Sequence, residues 1–427
     1  MIDRLILSIT MLSFFLCLML PLSLQSQPRT DRPCEITLPP CDCAGEISAT
    51  LDALKKNKAF QREDQEEFAN HLKRVNFELA ADSDGNLNCS FYLGYLLYGI
   101  RDGHAYARPS EPKYLCTHGT EAYDKAIRSS VFFTGTPRYQ GTLAELRKTL
   151  SVGKDEITGV YYSGSGIPFG LLPTERKGEY AAYVLADSLK SWDAGQEYFR
   201  LFTMPGAYAA FMRDDMHRPY FYRGKSLAGL LRTFGLTKNE GSPLYHRPGK
   251  ELVSGKMLSL SPGAGYLYLK SFEGSNLNVD MLHAAYDSLK WKLPSLTHLI
   301  IDIRSNGGGG ERAFNKLLKV LDAYSFPLQL HLLVNEETAS AAELFTLEMK
   351  KRGAKIYGER TRGAVAYSYG NKKGTPPFFT PCGNYRVQFT ERVNKPKSLL
   401  SYEYVGIPID VKLNHGQNWI DQLLQLI

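Results

Sequence analysis

Residues 328–353 read LQLHLLVNEETASAAELFTLEMKKRG and pass from a strand pattern into a helix pattern. The apolar run that ends at Val334 predicts a strand, and the polar loop after it leads into a helix that starts at Ser340. The basic residues before Gly353 are typical of a helix C-terminus. This stretch therefore predicts one strand–loop–helix unit with a serine at the start of its helix.

The same alternation continues on both sides and predicts an α/β core over residues 256–427, with parallel strands joined by helices. Further strands are predicted from GYLYLKSF (265–272), LTHLIIDIR (296–304) and AKIYGE (354–359), and further helices from NVDMLHAAYDSLKWKL (278–293) and ERAFNKLLKVLDAY (311–324). LTHLIIDIR is nearly continuous in apolar residues, as expected of a strand that is covered on both faces.

The rest of the chain predicts two further parts, since 427 residues are enough for two or three domains. Helical spacing within residues 46–99 predicts an N-terminal helical subdomain, 27–124, which also holds a loop with His104. Runs rich in Tyr, Phe and Val, such as YAAYVLA and EYFRLFTM, predict a β-rich module over residues 125–255. The expected fold class is α/β with an N-terminal helical subdomain and an inserted β-rich module.

Composition and the N-terminus indicate an exported globular protein. Hydrophobic residues make up 43% of the chain and charged residues 22%, as in folded proteins. The net charge of +7 is dispersed, which argues against a nucleic-acid partner. Arg4, an apolar run over residues 5–20 and a polar exit predict a signal peptide, residues 1–26, and hence a periplasmic or secreted protein. The alternative is an uncleaved membrane anchor, for which the run is barely long enough; no later segment is apolar enough to span a bilayer.

The cysteines predict disulfide bonds, because an even number remains after the signal peptide of an exported chain. They are Cys34, Cys41, Cys43, Cys89, Cys116 and Cys382. We expect Cys89 to pair with Cys116, because the two bracket a short segment that contains His104. A metal site in CEITLPPCDC (34–43) is the alternative, but no histidine lies nearby at ligand spacing, so no metal is expected.

Ser340 has two possible roles at the start of its helix. Its hydroxyl can cap the helix, and Glu343 three residues later completes a capping-box pattern. Alternatively, Ser340 can attack a carbonyl group, because the unpaired amide of Ala341 and the positive helix end would stabilise the resulting oxyanion. A nucleophilic serine also needs a base. Both roles remain open at this point.

Four glycines, residues 307–310, follow the strand LTHLIIDIR in the stretch SNGGGGERAF. Glycines let backbone amides approach a ligand closely, so the stretch is either an anion cradle or a tight strand-to-helix turn. It lacks the Lys-Ser/Thr ending of a phosphate-binding loop. If its strand lies beside the strand before Ser340, the two loops meet at the carboxyl edge of the sheet, where ligands of open α/β sheets bind.

Taken together, LIIDIRSNGGG, LVNEETASAAELF, GERTRG and RDGHAYARP resemble the C-terminal-processing (tail-specific) serine peptidase family. The resemblance covers about residues 262–412 and the separate RDGHAYARP piece. It implies a crotonase- or ClpP-like α/β core, and endoproteolysis of protein or peptide substrates through an acyl-enzyme, without a cofactor. One branch of the family uses a lysine base, but Ala364 stands at that position. The resemblance is therefore to the histidine-dependent, tricorn-core-like branch.

That branch implies Ser340 as nucleophile, His104 as general base and Glu403, in YEYVGIPIDV, as the carboxylate. In the branch the glutamate acts through a serine just before the histidine, whereas this chain has Gly103 there. Either Glu403 or Asp102 is therefore expected to orient His104. The implied oxyanion hole consists of the amide of Ala341 and one from Gly308 or Gly309.

Two other functions remain as alternatives. One is a catalytically silent binding protein for an apolar ligand or peptide on the same fold. The other is an acyl-CoA enzyme of the crotonase type, which export disfavours because CoA substrates are intracellular. Tail-specific peptidases commonly carry a PDZ-type module between histidine and core, but residues 125–255 show no clear carboxylate-binding glycine loop.

Overall fold

The computed structural model describes most of the chain after residue 40. The described ranges are 41–57, 60–62, 65–110, 120–152, 155–186, 191–204, 207–324, 327–369, 377–390 and 392–427. The predicted signal peptide, Cys34 and Cys116 lie outside these ranges. No helix within them is long and apolar enough to cross a membrane.

The N-terminal part is helical and is followed by a short strand. Its elements are α1 (Cys43–Leu54), a 3-10 turn (Phe60–Arg62), α2 (Gln65–Ala81), α3 (Cys89–Tyr98) and β1 (Tyr106–Pro109). Helix α3 is apolar on all sides and buried over nearly its whole length, because the other parts of the chain pack around it. The loop between α3 and β1, which contains His104, is therefore anchored at its start by a rigid, buried helix.

The disulfide bonds differ from the predicted pairing. Cys89 bonds to Cys43 and Cys41 bonds to Cys382, so the expected Cys89–Cys116 bond is wrong. Cys89 lies at the first residue of the buried α3, where its side chain packs against α1 and Cys43 is equally buried. The bond from Cys41 crosses 341 residues to the C-terminal part of the chain.

The middle part combines short helices with an antiparallel sheet. Its elements are α4 (Glu121–Arg128), α5 (Val131–Thr134), α6 (Leu143–Ser151), β2 (Gly159–Tyr162), β3 (Pro168–Pro173), β4 (Tyr180–Val184), β5 (Glu197–Met204), β6 (Ala207–Arg213), β7 (Pro219–Gly224) and α7 (Leu227–Thr233). The six strands pair in sequence order. The sequence predicted the sheet but not α4 to α6, although each of these helices starts at a capping Ser or Thr.

Residues 256–427 contain the main sheet. The elements there are β8 (Met257–Ser261), β9 (Ala264–Tyr268), α8 (Asn276–Lys292), a 3-10 turn (Leu293–Ser295), β10 (His298–Asp302), α9 (Arg312–Asp322), β11 (Gln329–Val334), α10 (Ala341–Lys351), β12 (Lys355–Gly358), β13 (Tyr367–Ser368), β14 (Phe378–Phe379), β15 (Tyr385–Gln388), β16 (Arg392–Val393), a 3-10 helix (Lys397–Tyr402), β17 (Val411–Lys412) and α11 (Trp419–Leu424).

Six strands form this sheet in the order β17-β12-β11-β10-β9-β8. Strands β9 to β12 and β17 run parallel, and β8 is an antiparallel edge that the sequence pattern did not predict. Helices α8, α9 and α10 cover one face and share a single apolar core with the strands. The predicted α/β fold class, with its helical and β-rich additions, is confirmed, whereas the residue limits of the four predicted domains stay a prediction.

The C-terminal part returns to the loop that holds His104. Strand β15 pairs antiparallel with both β1 and β14, so the strand that follows His104 is the edge of a three-stranded sheet. The Cys41–Cys382 bond attaches the loop between β14 and β15 to the residues before α1. Residues near position 390 and position 403 are thereby brought beside His104.

Candidate active site

The loops after β10 and β11 are joined to each other at the carboxyl edge of the main sheet. The amide of Ser305 donates to Asn335 Oδ1 (2.8 Å), the amide of Ala339 donates to the carbonyl of Asn306 (3.0 Å), and Thr338 Oγ1 donates to the carbonyl of Ile303 (3.0 Å). Because β10 and β11 are neighbouring parallel strands, these short loops emerge side by side. The glycine loop and Ser340 therefore belong to one rigid unit.

Ser340 is the N-cap residue of α10, but its backbone is not that of an ordinary cap. An ordinary N-cap residue is extended, whereas Ser340 has φ 57° and ψ −123°. A positive φ is unfavourable for any residue with a Cβ and is found mainly where function maintains it. The amide of Ser340 donates to the Glu343 carboxylate (3.0 Å), so half of the capping box is present beside the strained serine.

Glu343 does more than the capping box requires. Its fully buried carboxylate also accepts from Thr361 Oγ1 (2.6 Å) and from the amides of Gly363 (2.7 Å) and Ala364 (2.8 Å). It thus fixes the TRGA loop, residues 361–364, to the start of α10. The sequence pointed to Glu343 only as a capping residue, because its loop partners lie about twenty positions further on.

The glycine loop touches Ser340 directly. Gly308 has φ 95°, and a Cβ built on it would lie 2.7 Å from the Cβ of Ser340 and 2.8 Å from the amide nitrogen of Ala341. Gly309 has φ 136°, and a Cβ there would lie 2.0 Å from the carbonyl oxygen of Phe272. Only glycine fits either position, so this stretch is more than a tight turn.

The amides near Ser340 differ in whether they are already bonded. Gly308 donates to Asn306 Oδ1 (2.9 Å). The amide of Phe272 donates to the carbonyl of Gly308, and the carbonyl of Phe272 accepts from the amide of Gly310. The amide of Gly309, between them, takes part in neither of these two hydrogen bonds. The amide of Ala341 lies at the first helical position, where a helix offers no acceptor. Ala341 and Gly309 are therefore the candidates for binding an anion beside Ser340.

His104 lies in the loop between α3 and β1, with its side chain only 11% exposed. Its Nδ1 is 3.9 Å from Asp102 Oδ1, and its carbonyl accepts from the hydroxyl of Tyr369 (2.8 Å). Neither ring nitrogen makes a hydrogen bond within the described part of the chain. The structure therefore does not join His104 to Ser340 by a hydrogen bond.

Asp102 is a buried carboxylate that accepts hydrogen bonds from three donors. Its Oδ1 accepts from the amide of His104 (2.9 Å), and its Oδ2 accepts from the amide (3.0 Å) and hydroxyl (2.8 Å) of Thr390. Burial lowers the pKa of His104, against the opposing effect of the Asp102 charge and with a further lowering by Arg362. His104 is consequently neutral at pH 7 and can accept a proton.

Glu403 contacts the same loop from the other side. Its Oε1 accepts from the amide of Gly103 (2.6 Å), and its Oε2 accepts from the amides of Val365 (2.8 Å) and Ala366 (2.7 Å). Burial raises the pKa of Glu403 to about 7, although these three amides act in the opposite direction. A Cβ at Gly103 would lie 2.8 Å from Oε1, so a larger residue there would displace this carboxylate.

The two halves of the candidate site meet through the TRGA loop. A Cβ at Gly103 would lie 2.7 Å from the carbonyl oxygen of Gly363 and 3.0 Å from the Cα of Ala364. The amides of these same two residues bind Glu343, which in turn binds the amide of Ser340. His104 and Ser340 are thus held by adjacent, mutually packed loops. Ala364, at the lysine position of the other branch, is buried in this contact.

Polar atoms of Asp102, His104 and Glu403 lie within 4.8 Å of one another, a spacing that can suit a metal ion. The oxygens of both carboxylates, however, already accept hydrogen bonds from backbone amides or Thr390. A second such group, Cys41, Glu46 and Cys382, contains a disulfide bond and lacks free thiolates. The first group fits an imidazole with flanking carboxylates better than a metal centre.

The sequence matches one known family over part of the core. Residues 314–372 match peptidase family S41, a stretch that includes Ser340, Glu343 and the TRGA loop but neither His104 nor Glu403. The match confirms the predicted resemblance to this family. It supports a peptidase, and with it a protein or peptide substrate.

Several solved structures are similar at low identity, whereas no curated protein sequence matches the chain. Mature CPAF complexed with lactacystin has 10% identity and a TM-score of 0.42, and the alignment covers 90% of this chain and 97% of that one. The photosystem II D1 C-terminal processing protease has 13% identity, a TM-score of 0.35 and the same coverage. The tricorn protease has 11% identity and a TM-score of 0.39, with 90% of this chain and 36% of that chain covered.

Proposed function

We propose that this chain, whose core matches peptidase family S41, is a serine endopeptidase that cleaves proteins or peptides through an acyl-enzyme at Ser340. The observation that carries the proposal is the contact between Ser340 and the glycine loop. The strained serine lies against Gly308, next to a helix-start amide that has no acceptor among the described residues. A capping serine needs neither the positive φ nor the glycine neighbour, whereas a nucleophile with an oxyanion site uses both.

In the proposed reaction, Ser340 Oγ attacks the substrate carbonyl carbon while His104 accepts the hydroxyl proton. The tetrahedral oxyanion binds the amide of Ala341 and a glycine-loop amide, for which the unpaired Gly309 is the better candidate than Gly308. One such donor typically contributes about 3–4 kcal/mol to transition-state stabilisation. His104 then returns the proton to the leaving amine, and water, activated by His104, hydrolyses the ester.

His104 must come within hydrogen-bond reach of Ser340 for this reaction. Hydrogen bonds among catalytic groups are often long without substrate and shorten in the complex, so the unbonded ring is compatible with the proposal. The lowered pKa of His104 supports a base that is neutral at pH 7. Its buried ring nitrogens have no competing partner among the described residues.

The two carboxylates have different proposed roles. Asp102, 3.9 Å from Nδ1, is the better candidate for orienting the imidazole and stabilising its charged form. Glu403, with a pKa near 7, holds the backbone of Gly103, Val365 and Ala366, and so positions the His104 loop against the TRGA loop. Glu403 therefore acts as a positioning residue in this proposal.

Export is part of the proposal as well. Two disulfide bonds are typical of proteins in oxidising compartments, and the predicted signal peptide agrees with them. The protein is thus proposed to act in the periplasm or outside the cell. The reaction as written requires no cofactor.

A fluorophosphonate probe tests the nucleophile. The wild type should be labelled, with the adduct located at residue 340 by peptide mass spectrometry, and the Ser340→Ala variant should not be. Ser401→Ala removes an exposed serine outside the site and should label like the wild type. If the folded wild type is not labelled, the peptidase proposal fails and a binding protein for an apolar ligand or peptide becomes the better reading.

A further inference from the structure

A cleft of about 100 Å³, partly open to solvent, lies beside the His104 loop. Its walls come from α3, β1, β7 and the loops that carry Arg362 and Tyr404. Asp102 and Gly103, the two residues before His104, line one end of it. The proposed reaction does not use this cleft.

Four cations line the cleft. Arg108 lies on β1, with its guanidinium carbon 4.5 Å from the ring centroid of Tyr220; the other three are Arg223, Lys225 and Arg362. Arg223 belongs to β7 and Lys225 is the first residue after it, and both line the cleft. The Arg223 guanidinium carbon lies 3.4 Å from the ring centroid of Tyr404, and Lys225 Nζ donates to the carbonyl of Thr361. Arg362, the last of the four, belongs to the TRGA loop, which Glu343 fixes beside Ser340.

No close ion pair holds these cations within the described residues, although the charges of Glu343 and Glu336 act on Lys225 and that of Glu403 acts on Arg223. Within the described ranges, neither Arg223 nor Lys225 has a carboxylate oxygen within 4 Å. Of the acidic residues in the wall, Glu336 pairs with Arg232 (2.9 Å), and Asp102 accepts from amides and Thr390.

The environment shows that these charges are partly desolvated. Burial lowers the pKa of Arg223, and it lowers the pKa of Lys225 to about 8, so Lys225 stays mainly protonated at neutral pH. Keeping a buried cation without an opposite charge in contact is costly, and a concave site lined by such cations attracts anions.

We propose that this cleft binds a carboxylate of the substrate peptide through Arg223 and Lys225, with Arg362 contributing at its edge. The inference rests on the proposed peptidase function and gives it a substrate class: peptides with a carboxylate near the bond to be cleaved. An arginine fork suits a carboxylate, and the tyrosines of the walls can pack against the adjoining peptide. The carboxylate can come from an Asp or Glu side chain or from the peptide C-terminus.

Binding to the Ser340→Ala variant tests the inference without turnover. Octapeptide pools of randomised neutral residues, labelled with an uncharged BODIPY dye, are prepared with a free or an amidated C-terminus, and with Glu or Gln at one central position. Fluorescence anisotropy should show that one of the two carboxylates tightens binding about tenfold or more relative to the neutral pool. The pool that gains affinity identifies the source of the carboxylate.

The cleft residues are then changed in the same background. Arg223→Gln and Lys225→Met should each reduce the difference between charged and neutral pools to about twofold, while Arg223→Lys keeps more of it. Lys290→Gln removes an exposed cation outside the cleft and should leave the difference intact. Equal affinity for all four pools, or a difference that survives in both cleft variants, would overturn the inference.

The outcome is separable from the proposed peptidase function. If the wild type reacts with the fluorophosphonate probe but the pools bind alike, the carboxylate inference fails and the peptidase proposal stands. If the pools differ but the probe does not react, the cleft binds carboxylates in a protein that is no serine peptidase.

Discussion

Replacing Gly308 by alanine perturbs the contact between Ser340 and the glycine loop with a single methyl group. The new Cβ would lie 2.7 Å from the carbonyl oxygen of Ala339 and from the Cβ of Ser340, and 2.8 Å from the amide nitrogen of Ala341. None of these atoms is the end of a flexible side chain, so the backbone of one loop has to move. The φ of 95° adds strain of about 1–2 kcal/mol for a residue with a side chain.

The expected consequence is a loss of reactivity that exceeds the loss of stability. Displacing one oxyanion-hole donor costs about 10²- to 10³-fold in rate, or about 3–4 kcal/mol. The free energy of unfolding should fall by only about 1–3 kcal/mol, because the change lies at a loop and not in the main core. Gly308→Ala is therefore expected to fold and to react slowly.

Gly307→Ala is the matched control. It adds the same methyl group one residue earlier, where nothing lies within 4 Å of the new Cβ. The assay compares the second-order rate of fluorophosphonate labelling with the midpoint of chemical denaturation for both variants. If Gly308→Ala is labelled as fast as Gly307→Ala, the glycine loop is no part of the reactive site and the reasoning is wrong.

Three further predictions concern buried ionisable groups. Glu343→Gln should lower the free energy of unfolding by about 2–3 kcal/mol and abolish labelling, because the Glu343 carboxylate holds both Ser340 and the TRGA loop. Glu348 is partly exposed, and Glu348→Gln should change neither the denaturation midpoint nor the labelling rate. The labelling rate should rise with pH with its midpoint below pH 6.5, because burial lowers the pKa of His104; a midpoint above pH 6.5 would contradict this. The folded-state pKa of Glu403, about 7, exceeds the unfolded value of 4.5, so this group makes the protein lose stability as the pH rises from 4.5 to 7. Glu403→Gln should remove up to about 3 kcal/mol of this pH dependence, measured by denaturation at pH 5 and pH 8. An unchanged pH dependence of stability in the variant would refute this prediction.

The main sheet was predictable because its elements are long and periodic. Strands β9 to β12 and helices α8 to α10 each overlap a predicted segment, since buried parallel strands and amphipathic helices leave strong patterns. The antiparallel edge strand β8 and the short helices α4 to α6 leave weaker sequence patterns. Cap residues mark the starts of these helices, but a helix of one or two turns has too few residues to show a period.

The candidate site was predictable only in part. Ser340, the glycines and His104 could be identified from local motifs, and their surroundings could not. Thr390 binds Asp102 from 288 residues away, and Glu403 binds the amide of Gly103 from 300 residues away. Such contacts depend on how distant segments fold together, which neither periodicity nor spacing encodes. The wrong Cys89–Cys116 pairing has the same cause.

The cleft beside His104 left no signal in the sequence for a related reason. Arg223 and Lys225 belong to the antiparallel sheet, whereas Arg362 and Tyr404 come from the main α/β part. Single basic residues in strands and loops are ordinary on a protein surface. Their meaning arises only when the fold brings them together without acidic partners.

The most direct test of the central claim is a crystal structure of the chain after reaction with a fluorophosphonate. The account predicts a covalent bond from Ser340 Oγ to phosphorus, with the phosphoryl oxygen within hydrogen-bond reach of the amides of Ala341 and a glycine-loop residue. His104 Nε2 should lie within about 3.2 Å of Ser340 Oγ or the adduct. An adduct on another residue, or a His104 ring that stays more than about 6 Å from Ser340 Oγ in the adduct, would contradict it.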